Sequence, residues 1–151
     1  PCSTGGNMAF KTSVLRKIGF DTTLGAGTPT LAGEERAAFF DVLMAGQTVV
    51  YQPSAIVRHY HPRDVVGLQL HLHGEGAGLA AFYLRCLRKG PRLAPLFATL
   101  VPRILLSVFG SKREVTTPTI PRMLKTAKRQ GFLRGLASQL KILQPQKRSK
   151  G

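Results

Sequence analysis

The chain has 151 residues, enough for one domain of ordinary size, with 43% hydrophobic residues and a formal net charge of +15. No uninterrupted apolar run reaches the roughly 18 residues of a transmembrane helix, and no secretory signal is visible after Pro1. The two cysteines, Cys2 and Cys86, form no disulfide framework, which favours a reduced, cytoplasmic protein.

The positive charge is concentrated in the second half of the chain. Residues 1–75 hold six Lys/Arg and six Asp/Glu, whereas residues 76–151 hold sixteen Lys/Arg and Glu114 as the one acid. A neutral half joined to a strongly basic half indicates a folded part that bears a site and a part that faces an anionic surface.

In chain order, the first elements are a strand, a helix and a loop. Residues 7–10 form a short apolar run after a Gly-Gly turn, which predicts a strand. Residues 12–18 predict a short helix that ends at Gly19. Residues 20–33 are too rich in Gly, Thr and Pro for regular structure, so they are predicted to form a loop.

A second helix and two further strands follow. The helical spacing of apolar residues predicts a helix from Glu34 to Ala45, ended by Gly46. Residues 48–51 and 55–59 are β-branched runs. They predict two short strands or one bent edge strand, because Pro53 separates them.

The second half is predicted to be helical. Asp64 can cap a helix in which the glycines at 74, 76 and 78 are expected to cause a bend or an interruption. Residues 93–110 are apolar on nearly all sides but include Pro95, Pro102 and Arg103. Residues 121–143 are basic and amphipathic, and residues 144–151 read as a solvated tail.

Two groups of polar residues are candidates for chemistry. Glu34 and Glu35 stand at the predicted start of a helix, where acids are common because they complement the helix dipole. The long loop before them also favours a site, in which a glutamate could deprotonate a substrate hydroxyl. His59 and His61 share a face where a strand ends, but two imidazoles alone make no metal site, and either can be an ordinary polar end.

The order of these motifs is more specific than any one of them. The segments "GGNMAFKTSVLRKIGFD", a Gly/Thr loop, "GEE", a helix ending in "AG", and "VVYQPSAIVRHYHPRD" together resemble the C-terminal half of a family 2 glycosyltransferase. The resemblance covers roughly residues 3–64, and "LHGEGAGLAAFYLRCLRKGP" is similar to the helical extension of many bacterial members. It implies an α/β fold, namely the C-terminal part of a GT-A (Rossmann-like) domain followed by a basic α-helical extension.

The resemblance also implies roles for individual residues. Glu35 takes the place of the aspartate that acts as general base on the acceptor hydroxyl. His59 takes the place of a histidine that helps to bind the divalent metal, Mn²⁺ or Mg²⁺, which carries the donor's diphosphate. The positions implied in substrate binding are Gly5, Gly6, Asn7 and Glu34.

The chain departs from the family pattern at three positions. Glu35 replaces aspartate, Ala37 stands where the family tends to keep another acid, and Asp41 stands where it often has arginine. No Asp-x-Asp occurs in the sequence. Because that motif belongs to the donor-binding N-terminal half, this chain is expected not to catalyse alone, and the metal is expected to bind only in the complete enzyme.

The sequence therefore predicts an acceptor-side part at 1–64, a basic helical extension at 65–143 and a flexible tail at 144–151. The predicted function is transfer of a sugar from a nucleotide-diphospho-sugar to a hydroxyl acceptor. The predicted place is the cytoplasmic face of an anionic membrane, with the helical extension in the interface or packed on the donor-binding half. No nucleic-acid partner is expected. A non-catalytic remnant and a basic nucleic-acid-binding protein are the alternatives.

Overall fold

The computed structural model describes residues 6–58, 60, 63–110 and 122–143. Within these ranges the chain forms five α-helices and one short 3-10 helix. They are α1 (Thr12–Ile18), α2 (Glu34–Met44), α3 (Val65–Lys89), the 3-10 helix Pro91–Leu93, α4 (Ala94–Phe109) and α5 (Arg122–Leu143). The longest helix, α3, is the central element, since α2, α4 and α5 all pack against it.

The predicted α/β fold is wrong, because the described ranges are all-helical and contain no strand. Residues 48–51 and 55–58, which are rich in β-branched side chains, are irregular and exposed, with Val50 79% and Ile56 83% accessible to solvent. Such residues favour an extended backbone, but a strand exists only where a second strand exchanges hydrogen bonds with it. No such partner lies among the described residues, so the GT-A architecture is not formed here.

The helix boundaries follow the sequence signals closely. Gly19 ends α1 as predicted, and α2 ends at Met44, one residue before the predicted Ala45. The predicted cap of α3 is confirmed, since the Oδ1 of Asp64 accepts a hydrogen bond from the backbone N–H of Gly67 at 2.6 Å. A side-chain cap therefore sets the start of α3, whereas α1 and α2 begin at Lys11 and Gly33 without one.

The three glycines, predicted to bend or interrupt α3, do not interrupt it. The helix runs unbroken through Gly74, Gly76 and Gly78 to Lys89. Gly76 and Gly78 allow other backbones to approach: a Cβ at Gly78 would lie 2.6 Å from the carbonyl oxygen of Ala32. The cost of glycine in a helix is thus offset by close packing.

The contact between α3 and α5 is made almost backbone to backbone. A Cβ at Gly76 of α3 would overlap the carbonyl oxygen of Lys128. On α5, a Cβ at Gly131 or at Gly135 would overlap the carbonyl oxygens of His73 and Ala77 respectively. The absence of side chains at these glycines holds the two helices at a short separation.

Small apolar clusters fill the space around α3. One contains Leu24, Ala37 and Ala81, with Phe82 packed against it. A second joins α3, α4 and α5 through Ala80, Val108, Phe132, Leu79, Ile104 and Leu136. A group of ring contacts links α2, α3 and α4 and is made by Phe40, Phe82, Tyr83 and Phe97. Cys86 is fully buried, and burial raises its pKa to about 12, so its thiol is unreactive.

Candidate functional site

The loop before α2 is stiffened by its own threonines. The hydroxyl of Thr28 donates to the carbonyl oxygen of Gly25 at 2.7 Å and lies 2.8 Å from the hydroxyl of Thr30. The backbone N–H of Gly25 donates to the hydroxyl of Thr30, which is 1% exposed. These bonds hold the loop in one conformation without regular secondary structure.

The end of this loop is docked directly on α3. Gly33 has a φ of 105°, in the left-handed region, and it precedes the first residue of α2. A Cβ on Gly33 would lie 2.8 Å from the carbonyl oxygen of Gly78. Only glycine satisfies both the backbone angle and the space. The start of α2 is therefore fixed relative to α3.

Glu34 begins α2 and turns its carboxyl group back over the loop. A Cβ built on Gly25 would lie 2.8 Å from the Cδ of Glu34, which shows how closely the carboxyl group covers that glycine. The Oε2 of Glu34 is buried and has no hydrogen-bond partner in the described part of the chain. A buried carboxylate oxygen needs a partner, so this atom can accept a hydrogen bond from a ligand hydroxyl or from water.

Glu35, the next residue, is half-buried and stays unengaged. It makes no hydrogen bond or ion pair with any other residue that the structure describes. A carboxylate without an internal partner retains its capacity to accept a proton or a hydrogen bond. The two glutamates predicted from the sequence therefore lie together in the first turn of α2, and both have free acceptor atoms.

An ion pair flanks the glutamates. Arg36 on α2 donates through its Nη2 to the Oε2 of Glu75 on α3. The Nη1 of Arg36 is buried without a partner among the described residues. Arg36 thus ties the first turn of α2 to α3 and keeps one buried donor available.

The predicted substrate-binding turn is joined to a different part of the chain. The Nδ2 of Asn7 donates to the carbonyl oxygen of Ala55 at 2.7 Å, and Gly6 beside it is exposed. The turn is connected to α2 indirectly, because Phe10 stacks on Phe39 with ring centroids 5.6 Å apart. No hydrogen bond links Asn7 to either glutamate within the described ranges. Gly5 lies outside those ranges.

The predicted metal site falls outside the described residues, since His59 and His61 both do. Among the residues that are described, no group of three His, Cys, Asp or Glu side chains could hold a metal ion. Stable divalent-metal sites need several oxygen or nitrogen ligands together. The divalent metal therefore stays a prediction, and no step of the chemistry below passes through it.

A buried ion cluster, which the sequence analysis missed, lies about two helical turns further along α2, at Asp41. The guanidinium of Arg85 donates to Asp21 and, at 2.6 and 3.1 Å, to the two carboxylate oxygens of Asp41. Lys89 donates to the same Asp41 at 2.9 Å. Arg85 is 2% exposed. The signal was the spacing of Arg85, four residues after Ala81 and seven after Gly78, which places it on a side of α3 made of small residues. A buried arginine is rarely unpaired.

The cluster changes the ionisation of its members. Burial alone would raise the pKa of Asp21, but hydrogen bonds from Thr23 and Arg85 outweigh it and hold the pKa at about 2, below its usual 3.8. Against the same effect of burial, Arg85 and Lys89 lower the pKa of Asp41. The two carboxylates are therefore ionised at neutral pH and neutralised by two cations.

This arrangement predicts a loss of stability in acid. A carboxyl group whose pKa is lower in the folded chain stabilises the fold above its unfolded pKa, and the effect is lost as the pH falls towards 2. For Asp21 the loss is roughly 2 kcal/mol of unfolding free energy between about pH 4 and about pH 2. Urea unfolding followed by circular dichroism across that range measures it. Asp21→Asn should flatten the dependence, and an unchanged slope in that variant would contradict the assignment.

Ala37 and Asp41, which depart from the pattern of the family that the sequence resembles, have structural roles in this chain. Ala37 is completely buried against Leu24 and Ala81, where an acid would be a buried charge without a partner. Asp41 is bound by Arg85 and Lys89. Both positions therefore contribute to packing and to the ion cluster.

A cavity of about 350 Å³ opens at the far end of α2. Lys17, Asp41 and Lys89 supply its polar groups. Asp41 and Lys89 are already paired with each other, and Asp41 lies about two helical turns from Glu34. The cavity is therefore separate from the glutamates and is not part of the candidate site.

Comparison with known proteins identifies no family. No protein-family model, no curated protein and no solved structure matches the chain. The functional argument therefore depends on the geometry above and on the order of motifs in the sequence.

Proposed function

We propose that this chain provides the acceptor-side base of a sugar transfer, with Glu35 as the base. In that reaction an acceptor hydroxyl attacks the anomeric carbon of a nucleotide-diphospho-sugar. The hydroxyl proton passes to the carboxylate of Glu35, and the nucleoside diphosphate departs with the electrons of the broken C–O bond. The proposal concerns the site alone and does not include a GT-A fold.

The observation that carries the proposal is the unengaged carboxylate of Glu35 beside a stiff loop. Three other acids in the described ranges are in ion pairs, namely Asp21, Asp41 and Glu75. Glu35 is half-buried and unpaired among the described residues, on a helix start that is fixed by contact with α3. A general base needs this combination of a fixed position and a free acceptor.

Glu34 supports the same chemistry in a second role. Its buried Oε2 accepts no hydrogen bond from the described residues. A neighbouring hydroxyl of the acceptor sugar would satisfy that atom and orient the acceptor for deprotonation by Glu35. The resemblance assigns Glu34 to substrate binding, which is consistent with this part of the proposal.

The test is a transfer assay of the chain joined at residue 1 to the donor-binding half that the resemblance implies. Radiolabelled UDP-glucose, UDP-galactose and GDP-mannose serve as donors. Glu35→Gln should lower the rate of transfer about a hundredfold or more, because general-base catalysis contributes on that order. Nucleotide-sugar binding, measured by calorimetry, should be unchanged.

The matched control is Glu114→Gln, which makes the same chemical change at an acid to which the resemblance gives no role. It should leave transfer intact. Full turnover by Glu35→Gln would show that another group is the base.

A non-catalytic remnant is the second candidate, and one observation favours it. Ala37 and Asp41 stand where the family keeps other functional residues, and here they serve packing and the ion cluster. The same assay separates the two proposals. The remnant predicts no transfer by the joined wild-type protein with any of the three donors, although the donors bind.

A further inference from the structure

The outer face of α4 is apolar and uncovered in the described structure. The helix packs on α3 and α5 through Phe97 and Val108, which are both buried. Its exposed apolar side chains are Leu96, Val101, Leu105, Leu106 and Phe109. The segment Pro91–Phe109 is the one stretch in the described ranges that is long and apolar enough to cross a membrane, with a mean hydropathy of 1.5 and 11% of it buried. An apolar surface of this kind marks an interaction site.

The two side-chain hydroxyls of α4 donate to carbonyl oxygens within the helix. The hydroxyl of Thr99 donates to the carbonyl oxygen of Leu96 at 2.7 Å, and that of Ser107 donates to Ile104 at 2.8 Å. These groups can leave water without losing a hydrogen bond. Arg103 is the one ionised side chain within α4. Apart from Arg103, the side chains of α4 therefore cost little to remove from water.

The end of α4 is held by a cation from α5. The Nε and Nη2 of Arg129 donate to the carbonyl oxygens of Val108 and Phe109 at 3.2 and 2.9 Å. The guanidinium carbon lies 5.9 Å from the centroid of the Phe109 ring. This contact caps the last turn of α4 and fixes the helix on the bundle.

Exposed cations lie on α4, on the 3-10 helix before it and on α5. They are Arg92, Arg103, Arg122, Arg134 and Lys141. Glu114 is the one acid in residues 76–151. Two copies of the chain meeting through this face would bring like charges together, which disfavours self-association. A surface that is apolar and negatively charged is complementary to it.

We propose that the outer face of α4 is a docking surface for an anionic lipid bilayer, with the helix lying in the plane of the interface. The exposed apolar side chains enter the acyl boundary, and exposed cations of α4, of the preceding 3-10 helix and of α5 meet the headgroups. A spanning orientation is unfavourable because Arg103 is near the middle of the apolar segment, and because Phe97 and Val108 attach the opposite face to the bundle. This inference is independent of the proposed sugar transfer.

The test is co-sedimentation of the full chain with vesicles of phosphatidylcholine alone or mixed with phosphatidylglycerol. Binding should require phosphatidylglycerol and should weaken as the salt concentration is raised. Salt screens the attraction between each basic residue and the anionic headgroups. Equal binding to both vesicles would overturn the proposal. So would preferential binding of the chain to an acidic protein or to duplex DNA, offered as competitors.

Matched variants locate the surface. Leu106→Glu should weaken vesicle binding about tenfold or more, because it places a charge on the apolar face. Val50→Glu is the control: it makes a similar apolar-to-glutamate change at a side chain that is 79% exposed in the neutral half. It should leave binding unchanged. Equal losses in the two variants would mean that net charge, and not the α4 face, determines binding.

The orientation of α4 in the bilayer can be measured with single tryptophan probes, because the chain contains no tryptophan of its own. Leu96→Trp and Leu106→Trp place single probes about 15 Å apart along α4. Quenching by brominated lipids should report the same shallow depth for both if the helix lies in the plane. Clearly different depths would indicate a spanning helix and would refute the in-plane arrangement.

Discussion

Replacement of Arg85 by methionine is expected to lower the free energy of unfolding by about 3 to 5 kcal/mol. The variant leaves Asp21 without its guanidinium partner and leaves Asp41 with Lys89 alone. Uncompensated buried charge is costly, while small domains have only about 5 to 15 kcal/mol of total stability. The variant is therefore expected to be largely unfolded at modest urea concentrations.

Urea titration followed by circular dichroism at the helical band measures this effect. Arg134→Met is the matched control, since Arg134 is exposed on α5, and it should change stability by no more than about 0.5 kcal/mol. The triple variant Asp21→Asn, Asp41→Asn, Arg85→Met should recover part of the loss, because no buried charge is then left unpaired. An Arg85→Met protein with an unchanged urea midpoint would show that the cluster contributes nothing.

Substitution of Gly135 by alanine is the second large effect expected. Alanine is normally the better helix residue by about 1 kcal/mol, so propensity alone predicts stabilisation. The added Cβ would overlap the carbonyl oxygen of Ala77, and α3 and α5 would have to separate. Overpacking of this kind costs about 1 to 3 kcal/mol, so the net effect should be destabilising.

Gly74→Ala is the control within the same bundle. A Cβ at Gly74 would meet the Cβ of Leu31 at 3.4 Å, which is an ordinary contact. This variant should be neutral or more stable than the wild type, whereas Gly135→Ala should unfold at lower urea. Stability changes of opposite sign in the two variants would distinguish the effect of packing from that of helix propensity. A stabilised Gly135→Ala protein would mean that the two helices are not in backbone contact.

The helices were predictable because their signals are local. The apolar spacing between Glu34 and Ala45, the cap at Asp64 and the stop at Gly19 each act within one or two turns. The strands were predicted from equally local signals, but a strand also needs a partner elsewhere in the chain. Residues 48–51 have β-branched side chains and no partner among the described residues, so propensity alone misled the prediction.

The glutamates of the candidate site could be predicted, while their surroundings could not. Glu34 and Glu35 were identified by their place after the loop, and they do lie in the first turn of α2. Arg85 pairs with Asp21, which is 64 positions away in the sequence, and with Asp41, which is 44 positions away. The periodicity of the sequence cannot predict contacts over such separations. The contact of Gly33 with Gly78 is likewise long-range. Tertiary proximity, and not residue type, decided these features.

The glycines between α3 and α5 also set how this chain tolerates genetic change. Every missense change in a glycine codon adds at least a Cβ, and no smaller amino acid exists to replace it. At Gly76, Gly131 and Gly135 that atom would overlap a carbonyl oxygen of the facing helix. Substitutions are therefore expected to be tolerated on the outer faces of these helices. They are not expected to be tolerated at the glycines where the two helices meet.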